Sequence, residues 1–301
     1  MRTLHCPICG PHAATMMYPA SFVDSSPPVD RPYGAHYQIN RCRGCGLLYS
    51  NPIADAAATA TLYTEASHTN VALGEEANVR RTFEGYYRMA RPFVRERGRF
   101  LDVGCDVGIL LGIAAADGFG ELVGLEPNPV AAARASTVPR SRILPDFYED
   151  AHFDGGAFDV VSLVHVVDHL TDVGPVLAKV LHDLRPGGLV LAVVHNVECL
   201  LARILGERFP PFNLYHHYFF SKNTLRRLFA RHGFDVVSVA STSNVYSLGF
   251  LARKLPVGAP ALGDGIARLA EAIKIARIPV SLPLGNIAIV ARRPAGNGAR
   301  S

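Results

Sequence analysis

Four cysteines near the N-terminus have the residue type and spacing of a metal site. Cys6 and Cys9 form one Cys-x-x-Cys pair and Cys42 and Cys45 form another, each followed directly by a glycine. A Cys-x-x-Cys turn brings its two sulfurs to one side, so two such turns supply the closed set of four thiolates that structural Zn²⁺ prefers. We therefore predict that these four residues bind a structural zinc ion and take no part in chemistry.

A pair of disulfides and a redox-active Cys-x-x-Cys are the alternatives to zinc. A redox motif of the thioredoxin type opens a helix after a strand, whereas both pairs here lie among Pro, Gly and Ser residues. The first residues contain no apolar stretch that could serve as a signal peptide, and in the cytoplasm paired cysteines indicate metal more than disulfides. A proline-containing segment, residues 25–34, is expected to loop out of this zinc ribbon.

A glycine-containing turn with an acidic residue before it predicts a cofactor site. Gly104, Cys105 and Gly108 follow the apolar segment 100–103, and Asp102 precedes the first glycine by two residues. Such a turn between a strand and a helix lets a ligand approach the backbone and the helix N-terminus. The G-x-G-x-x-G of nicotinamide dehydrogenases is absent. The carboxylate of Asp102 would repel a pyrophosphate but attract the ammonium group of a sulfonium amino acid.

Three residues farther along are candidates for binding the nucleoside part of such a cofactor. Glu126 lies eighteen residues after Gly108, at the end of the next apolar segment, where a carboxylate can accept hydrogen bonds from both ribose hydroxyls. The alternative is a surface acid before a turn. Asp146 and Phe147 follow the expected third strand and would hold an adenine ring by a polar contact and an apolar wall.

Alternating apolar and amphipathic segments would position these loops. Strands are predicted at 100–103, 122–125, 158–164, 189–194, 234–240 and 286–291, and helices at 109–116, 129–136, 173–184 and 223–231. This alternation is typical of a mostly parallel sheet with helices on both faces. The preceding segment, residues 51–97, is predicted to be a helical connector, with apolar residues at helical spacing and a kink or new turn at Pro92.

Several motifs after residue 99 resemble those of a known family. They are the Leu-Asp-x-Gly-x-x-x-Gly loop, Glu126 after the second strand, the fourth strand from Phe158, the segment 165–170 (HVVDHL) and the turn 184–188 (LRPGG). Together they are similar to the class I S-adenosylmethionine-dependent methyltransferases. The resemblance implies an α/β fold with a Rossmann-like seven-stranded sheet, mostly parallel with an antiparallel last strand, and a small N-terminal zinc ribbon. Where the family usually has a glycine, this chain has Asp106.

The resemblance also implies a cofactor, S-adenosylmethionine, and a class of acceptor. The residues expected to bind the cofactor are Asp102, Gly104, Cys105, Gly108, Glu126, Asp146, Phe147 and His165. With its cysteine pairs the chain is similar to a bacterial subgroup of sugar- and polysaccharide-tailoring methyltransferases. The expected acceptor is therefore a small molecule, such as a sugar-nucleotide or a lipid-linked glycan.

Histidines are the candidates for the base that a hydroxyl or carbon acceptor requires. His165 and His169 flank Asp168 after the fourth strand, close to the expected position of the reactive methyl group. This spacing also mimics a His-x-x-Glu-His zinc motif, but its place after a Rossmann-like strand disfavours that interpretation. We favour instead that His165 packs against the methionine part of the cofactor and that His169 caps the next helix.

The segment after the fifth strand supplies a second group of candidates. Residues 215–221 (YHHYFFS) resemble the family's Glu-His-x-x-Tyr-Phe-Ser stretch, with Tyr215 in place of the glutamate. His216 is the favoured base, with His217 and Tyr215 as its neighbours. The alternative is that these aromatic residues only pack the segment onto the core. The segment lies on the carboxyl side of the strands, where open α/β folds bind substrates.

Length and composition limit the expected domain organisation. The chain has 301 residues, 49% of them hydrophobic, and a formal net charge of +4. We expect a zinc ribbon at 1–55, a helical connector at 56–98 and a methyltransferase domain at 99–301 with insertions at 198–220 and 247–283. A cytoplasmic monomer or homodimer is expected. The insertion at 247–283 is amphipathic and partly basic, so peripheral membrane contact is kept as an alternative.

Two other functions remain as alternatives. One is an RNA methyltransferase, since zinc ribbons precede some of those enzymes, but no dense Lys/Arg patch with interleaved aromatic residues is present, so nucleic acid is not an expected partner. The other is an inactive, cofactor-binding scaffold whose zinc ribbon recruits partners. The extra carboxylate of Asp106 and the missing glutamate at Tyr215 are the features that favour it.

Overall fold

The computed structural model describes residues 1–22, 34–54, 74–254 and, apart from positions 267 and 270, 266–295. Most of the proline-containing segment that was predicted to loop out, and the first part of the predicted connector, therefore lie outside the described residues. So does the centre of the predicted 247–283 insertion.

Eleven strands lie within the described residues. They are β1 (Ala14–Tyr18), β2 (Ile39–Cys42), β3 (Leu48–Ser50), β4 (Arg99–Val103), β5 (Glu121–Leu125), β6 (Ser141–Leu144), β7 (Phe158–Val164), β8 (Leu184–His195), β9 (Tyr218–Phe219), β10 (Asp235–Ser247) and β11 (Pro279–Arg292). They form one sheet of seven strands and one of four.

The described helices connect these strands. They are α1 (Glu76–Ala90), α2 (Ile109–Ala116), α3 (Pro129–Ala135), α4 (Val173–Asp183), α5 (Leu200–Leu205), α6 (Lys222–Arg231) and α7 (Leu248–Lys254). The start of α6 is fixed by a capping box, in which Ser221 and Thr224 each bind the other's backbone N–H. None of the helices in these ranges combines the length and the apolar character needed to cross a bilayer.

The seven-stranded sheet has the order β10-β11-β8-β7-β4-β5-β6. Strands β4, β5, β6, β7 and β8 run parallel to one another, and β11 is antiparallel to both β8 and β10. All seven residues of β7 are buried, as expected for a central strand that helices cover on both faces. The predicted fold class is therefore confirmed. Because β4 connects outward to β5 while β7 lies on its other side, a crevice opens at their carboxyl ends.

Three strands of this sheet are longer than predicted. β8 begins at Leu184, so the predicted turn 184–188 is part of it. β10 and β11 remain paired far beyond residues 234–240 and 286–291, with Val245 opposite Ser281 and Ser247 opposite Pro279. The edges of the predicted 247–283 insertion are thus strand, and α7 follows β10 directly. The extension of β10 was missed because its residues are mostly Ser, Thr and Asn, which do not alternate with apolar residues as in a half-buried strand. The extension of β11 was missed because it contains Pro279 and Pro283, and proline disfavours a strand.

The four-stranded sheet joins the cysteine-containing module to the rest of the chain. Its order is β1-β2-β3-β9, all antiparallel, and β9 comes from the segment that follows β8. Leu48 lies opposite Phe219 and Tyr49 opposite Tyr218. The side chains of Leu47 and Tyr49 belong to the same buried cluster as those of the main sheet. The N-terminal module and the α/β domain therefore share one hydrophobic core.

Candidate active site

The four predicted zinc ligands lie together. One sulfur atom from each of Cys6, Cys9, Cys42 and Cys45 falls within 4.8 Å of the others, and none of these cysteines forms a disulfide. In each pair a backbone hydrogen bond closes the turn, from the Gly10 N–H to the Cys6 carbonyl and from the Gly46 N–H to the Cys42 carbonyl. The arrangement suits the closed tetrahedral site expected for structural zinc.

A cavity of about 810 Å³ lies at the carboxyl ends of the parallel strands. One end is lined by six of the predicted cofactor-binding residues, namely Asp102, Gly104, Cys105, Glu126, Asp146 and Phe147. Gly108 does not line it. A Cβ atom on Gly108 would come within 2.9 Å of Val138 Cγ2 and 3.2 Å of Ala135 Cα, so this glycine lets α2 pack closely against the end of α3.

Two residues of the turn after β4 have a left-handed backbone conformation. Gly104 has φ 67°, and a Cβ atom added to it would lie 3.1 Å from Val166 Cγ2. Asp106 has φ 45°, a conformation that glycine adopts at little cost and other residues rarely do. Its backbone N–H donates to Glu126 Oε2 (2.9 Å), while the Asn128 N–H donates to Oε1 (2.9 Å). The turn thereby fixes the carboxylate of Glu126 at the cavity wall.

This end of the cavity is acidic and carries no positive side chain. Asp102, Asp106 and Glu126 line it, and no Arg or Lys is among the described residues that line the cavity. Burial raises the pKa of Asp102 to about 7, although a hydrogen bond from Ser162 Oγ (2.6 Å) favours the ionised form. Burial also raises the pKa of Glu126. Such a wall suits a ligand that brings its own positive charge and disfavours a pyrophosphate.

Four histidines form the opposite end of the cavity. Together with Asp168 they are called the histidine cluster below. His165, His169, His195 and His216 all line the cavity. Ring centroids are 4.8 Å apart for His165 and His195, 4.4 Å for His169 and His216, and 4.8 Å for His195 and His216. His165 follows β7 and His195 ends β8, so two neighbouring parallel strands bring their rings to the same edge.

Asp168 lies at the centre of the histidine cluster. Its side chain is buried, Oδ2 is 3.0 Å from His195 Nδ1, and Oδ1 is 3.9 Å from His169 Nε2. Burial lowers the pKa of His165, His195 and His216 to about 4, and that of His169 falls well below its usual value. The four rings are therefore uncharged at neutral pH, and each keeps a nitrogen lone pair that can accept a proton or bind a metal ion.

The predicted base candidates occupy different positions. His216 lines the cavity, and its Nδ1 is 2.7 Å from the Pro211 carbonyl oxygen. His217 is fully buried with Nδ1 3.2 Å from the Leu170 carbonyl oxygen, and neither it nor Tyr215 lines the cavity. The predicted capping role of His169 is wrong, because α4 begins at Val173 with Asp172 as its N-cap.

Several residues at the histidine end were not singled out from the sequence. His195 directly follows the predicted strand 189–194, a position at the carboxyl edge that could have identified it. Tyr86, Asn244 and Asn286 come from α1, β10 and β11 and form a hydrogen-bonded network. The Asn286 amide donates to the Tyr86 hydroxyl (2.9 Å), which donates to Asn244 Oδ1 (2.8 Å). Only the fold brings these three together.

Comparison with known proteins assigns the main domain to a family. A family model described as a methyltransferase domain matches residues 76–239, more than half of the chain. The ubiquinone biosynthesis O-methyltransferase of Mesorhizobium japonicum is 31% identical over 129 residues, which are 40% of this chain and 51% of that protein. The enzyme of the same name from Rhodopseudomonas palustris is 29% identical over 102 residues, 33% of this chain and 40% of that protein. The chain thus spans about half or less of these relatives' length.

Solved structures share the fold at low sequence identity. A protein described as a methyltransferase from Haloferax volcanii, in complex with the Trm112 methyltransferase activator, superposes with a TM-score of 0.55 at 19% identity, covering 75% of this chain and 94% of that one. A protein from Bacillus halodurans described in the same way gives a TM-score of 0.51 at 15% identity, covering 70% and 99%.

Proposed function

The chain belongs to the methyltransferase-domain family, and from this we propose that it is an S-adenosylmethionine-dependent enzyme that methylates a hydroxyl group of a small molecule. The observation that carries the proposal is one cavity that joins the acidic end, where no described residue is cationic, to the uncharged histidine cluster. The first end suits a sulfonium cofactor and the second a group that must lose a proton.

The acidic end has the features that S-adenosylmethionine requires. Glu126 would accept hydrogen bonds from the ribose hydroxyls, Phe147 would cover the adenine ring, and the backbone at Gly104 permits close approach of the amino-acid part. S-adenosylmethionine, when bound, supplies a methyl group on a positively charged sulfur. The carboxylates of Asp102 and Asp106 lie where they would attract the positive charges of this cofactor.

The histidine cluster would accept the acceptor's proton. His195 Nδ1 donates to Asp168 Oδ2, so His195 Nε2 carries the lone pair that faces the cavity. We therefore assign proton acceptance to His195, oriented by Asp168, rather than to His216. As His195 takes the proton, the acceptor oxygen would bond to the methyl carbon that S-adenosylmethionine supplies, and the electron pair of the broken carbon–sulfur bond would stay on sulfur.

The acceptor would be a small hydroxylated molecule with both polar and apolar surfaces. The network of Tyr86, Asn244 and Asn286 offers donors and acceptors on one side of the cavity, and Phe83 and Pro211 offer apolar contact. Oxygen is the expected methyl-accepting atom because both curated relatives are named O-methyltransferases. The sugar-nucleotides and lipid-linked glycans suggested by the sequence and the phenolic rings suggested by these relatives are the acceptor classes to compare.

The four cysteines would bind a structural zinc ion that holds the N-terminal module in place. The division into a zinc ribbon at 1–55, a helical connector at 56–98 and a methyltransferase domain at 99–301 is part of the same proposal. Through β3 the ribbon pairs with β9, directly after His216 and His217. Its role would be to position this segment rather than to react.

Calorimetry with S-adenosylmethionine tests the cofactor assignment. We expect micromolar or tighter binding by the full chain and at least tenfold weaker binding by the Glu126→Gln variant, because a charged hydrogen-bond acceptor contributes about 1.5–3 kcal/mol. Glu84→Gln is the matched control, since Glu84 lies on the outer face of α1 beside Arg80. Absence of cofactor binding by the wild-type chain would refute the proposed function.

A radiolabelled-methyl assay then tests the reaction itself. Phenols, nucleotide-sugars and lipid-linked glycans are offered separately, and the His195→Gln variant is compared with the wild type. We expect transfer to at least one hydroxylated acceptor, with His195→Gln losing turnover while it binds the cofactor normally. Cofactor binding without transfer to any of them would favour the inactive-scaffold alternative.

A further inference from the structure

The carboxylate of Asp168 is buried, and one of its two oxygens lacks a hydrogen-bond partner. The residue is 1% exposed, and Oδ1 makes no hydrogen bond. Among the described residues, the groups within ion-pair distance of this carboxylate are the imidazoles of His169 and His195, and no Lys or Arg lies that close. A buried carboxylate that no cation compensates is costly by several kcal/mol. The site therefore lacks a positive charge that would balance it.

Two imidazoles lie close to this carboxylate. One ligand atom each from Asp168, His169 and His216 lies within 4.8 Å of the other two, and His169 Nε2 is 3.9 Å from Asp168 Oδ1. Ligand atoms bound at about 2.1 Å to one ion lie roughly 3 to 4 Å from each other. Small side-chain rotations would thus bring all three atoms onto one metal ion.

Hydrogen bonds from neighbouring groups orient Asp168 and His216 in the way that metal-binding side chains are commonly oriented. His216 Nδ1 donates to the Pro211 carbonyl (2.7 Å), which leaves Nε2 as the nitrogen with a lone pair. Metal-binding histidines commonly hold a backbone carbonyl or a carboxylate with the other ring nitrogen. His195 donates to the second oxygen of Asp168 and fixes the carboxylate, so Oδ1 is the oxygen left for an ion.

We propose that Asp168, His169 and His216 bind a divalent transition-metal ion at the acceptor end of the cavity. Two imidazoles and one carboxylate form a ligand set that leaves coordination positions open and that suits Zn²⁺, Fe²⁺, Co²⁺ or Mn²⁺ better than Mg²⁺, which prefers oxygen ligands. The spacing of His165, Asp168 and His169 alone did not favour a metal. The third ligand is His216, which is 47 residues beyond His169 and which only the fold brings near.

The metal site rests on the proposed methyl transfer and specifies how the acceptor would bind. The acceptor's hydroxyl oxygen would take an open coordination position, and a bound metal ion lowers the pKa of such a group. Its proton would pass to His195 Nε2. The oxygen–carbon bond then forms as the carbon–sulfur bond breaks, and the sulfur keeps the electron pair. No oxidant or reductant is required, and the metal ion keeps its charge throughout.

Cobalt binding distinguishes this site from the four cysteines. The full chain, purified with zinc and freed of loosely bound metal, is titrated with Co²⁺ while absorption and calorimetric heat are recorded. Binding at the histidine cluster adds d–d bands without the thiolate charge-transfer absorption that cobalt at the cysteines would produce. We expect one equivalent of this kind in the wild type and at least tenfold weaker binding by Asp168→Asn and by His216→Gln. His152→Gln, at an exposed position away from the cavity, should bind as the wild type does.

The outcomes separate the metal site from the proposed function. If the wild type shows no cobalt binding beyond the cysteines, or if both cluster variants bind cobalt with wild-type affinity, the metal site is refuted. S-adenosylmethionine binding is measured on the same preparations with a chelator present, and it reports on the cofactor site alone. Methyl transfer at an undiminished rate after removal of the cluster metal would leave the methyltransferase intact and overturn the metal's part in it. Near-ultraviolet circular dichroism checks that both variants are folded.

Discussion

The buried carboxylate of Asp102 makes a quantitative prediction about stability. Burial, with contributions from Glu126 and Asp106, raises its pKa from 3.8 to about 7. A group whose pKa is higher in the folded protein contributes its stabilisation below the unfolded-state pKa, and this contribution is lost as the pH rises through the folded-state pKa. Asparagine does not titrate, so we expect the Asp102→Asn variant to gain stability relative to the wild type between pH 5 and pH 8.

The size of this gain follows from the pKa shift. One pKa unit corresponds to about 1.4 kcal/mol, so a shift of about three units amounts to about 4 kcal/mol above pH 7. About 2 to 3 kcal/mol of that falls between pH 5 and pH 8. The asparagine Nδ2 group would be a buried donor without a partner, at a cost of about 1–3 kcal/mol at every pH. We therefore expect near-equal stability at pH 5 and a variant more stable by about 1–3 kcal/mol at pH 8.

Urea unfolding at several pH values measures this difference. The titrations of the histidines are common to both proteins and cancel in the comparison. Asp117→Asn is the control: burial acts to raise the pKa of Asp117, but hydrogen bonds from Arg91 and Arg97 hold it below its usual value. Its deficit relative to the wild type should therefore stay constant from pH 5 to pH 8. A difference between Asp102→Asn and wild type that did not change with pH would refute the reasoning.

Four further predictions concern other parts of the site. Ser50→Ala should lower turnover several-fold without changing cofactor affinity, since Ser50 Oγ donates to the His216 carbonyl (3.3 Å) and its loss costs about 1 kcal/mol; steady-state kinetics and calorimetry separate the two effects. Thermal melts should show stability falling as the pH drops from 6.5 towards 4, because burial lowers the pKa of His165, His195 and His216 to about 4, so in this range the unfolded chain binds protons that the folded protein does not. Asp106→Gly should raise the free energy of unfolding by about 0.5–1 kcal/mol in urea titrations, since relief of a left-handed conformation exceeds the entropic cost of glycine. A zinc chelator should lower the melting temperature of the wild type and leave that of a Cys42→Ser variant unchanged.

The elements that were predicted correctly are those whose sequence pattern depends on local burial. Strand β7 and helix α2 have the predicted bounds, because β7 is a run of mostly apolar residues and α2 follows a glycine with a left-handed backbone. Seven of the eight residues predicted to bind the cofactor line the cavity, since each lies within a few residues of a strand's carboxyl end, and their role stays a prediction. These features depend on neighbours in the sequence and on the sheet, and both leave a local signal.

The features that the sequence did not reveal depend on contacts between distant residues. The pairing of β3 with β9 joins residues nearly 170 positions apart, and β9 has only two residues, too few to show a period. The network of Tyr86, Asn244 and Asn286 combines one helix and two strands. His195 belongs to the same class, because its importance depends on Asp168, which belongs to the loop after a different strand. A pattern in one segment carries no information about such partners.

Burial has opposite effects on the protons at the two ends of the cavity. It raises the pKa of Asp102 to about 7 and lowers those of His165, His195 and His216 to about 4, in both cases because the charged form loses solvation. The free protein at neutral pH therefore holds Asp102 partly protonated and these three imidazoles uncharged. A cationic cofactor would favour the ionised form of Asp102, so its affinity should increase from pH 6 to pH 8. A histidine that is uncharged at the start can accept the proton that a hydroxyl acceptor releases. Burial thus leaves the histidine end ready to accept a proton, whereas Asp102 would become fully ionised only with a cation beside it.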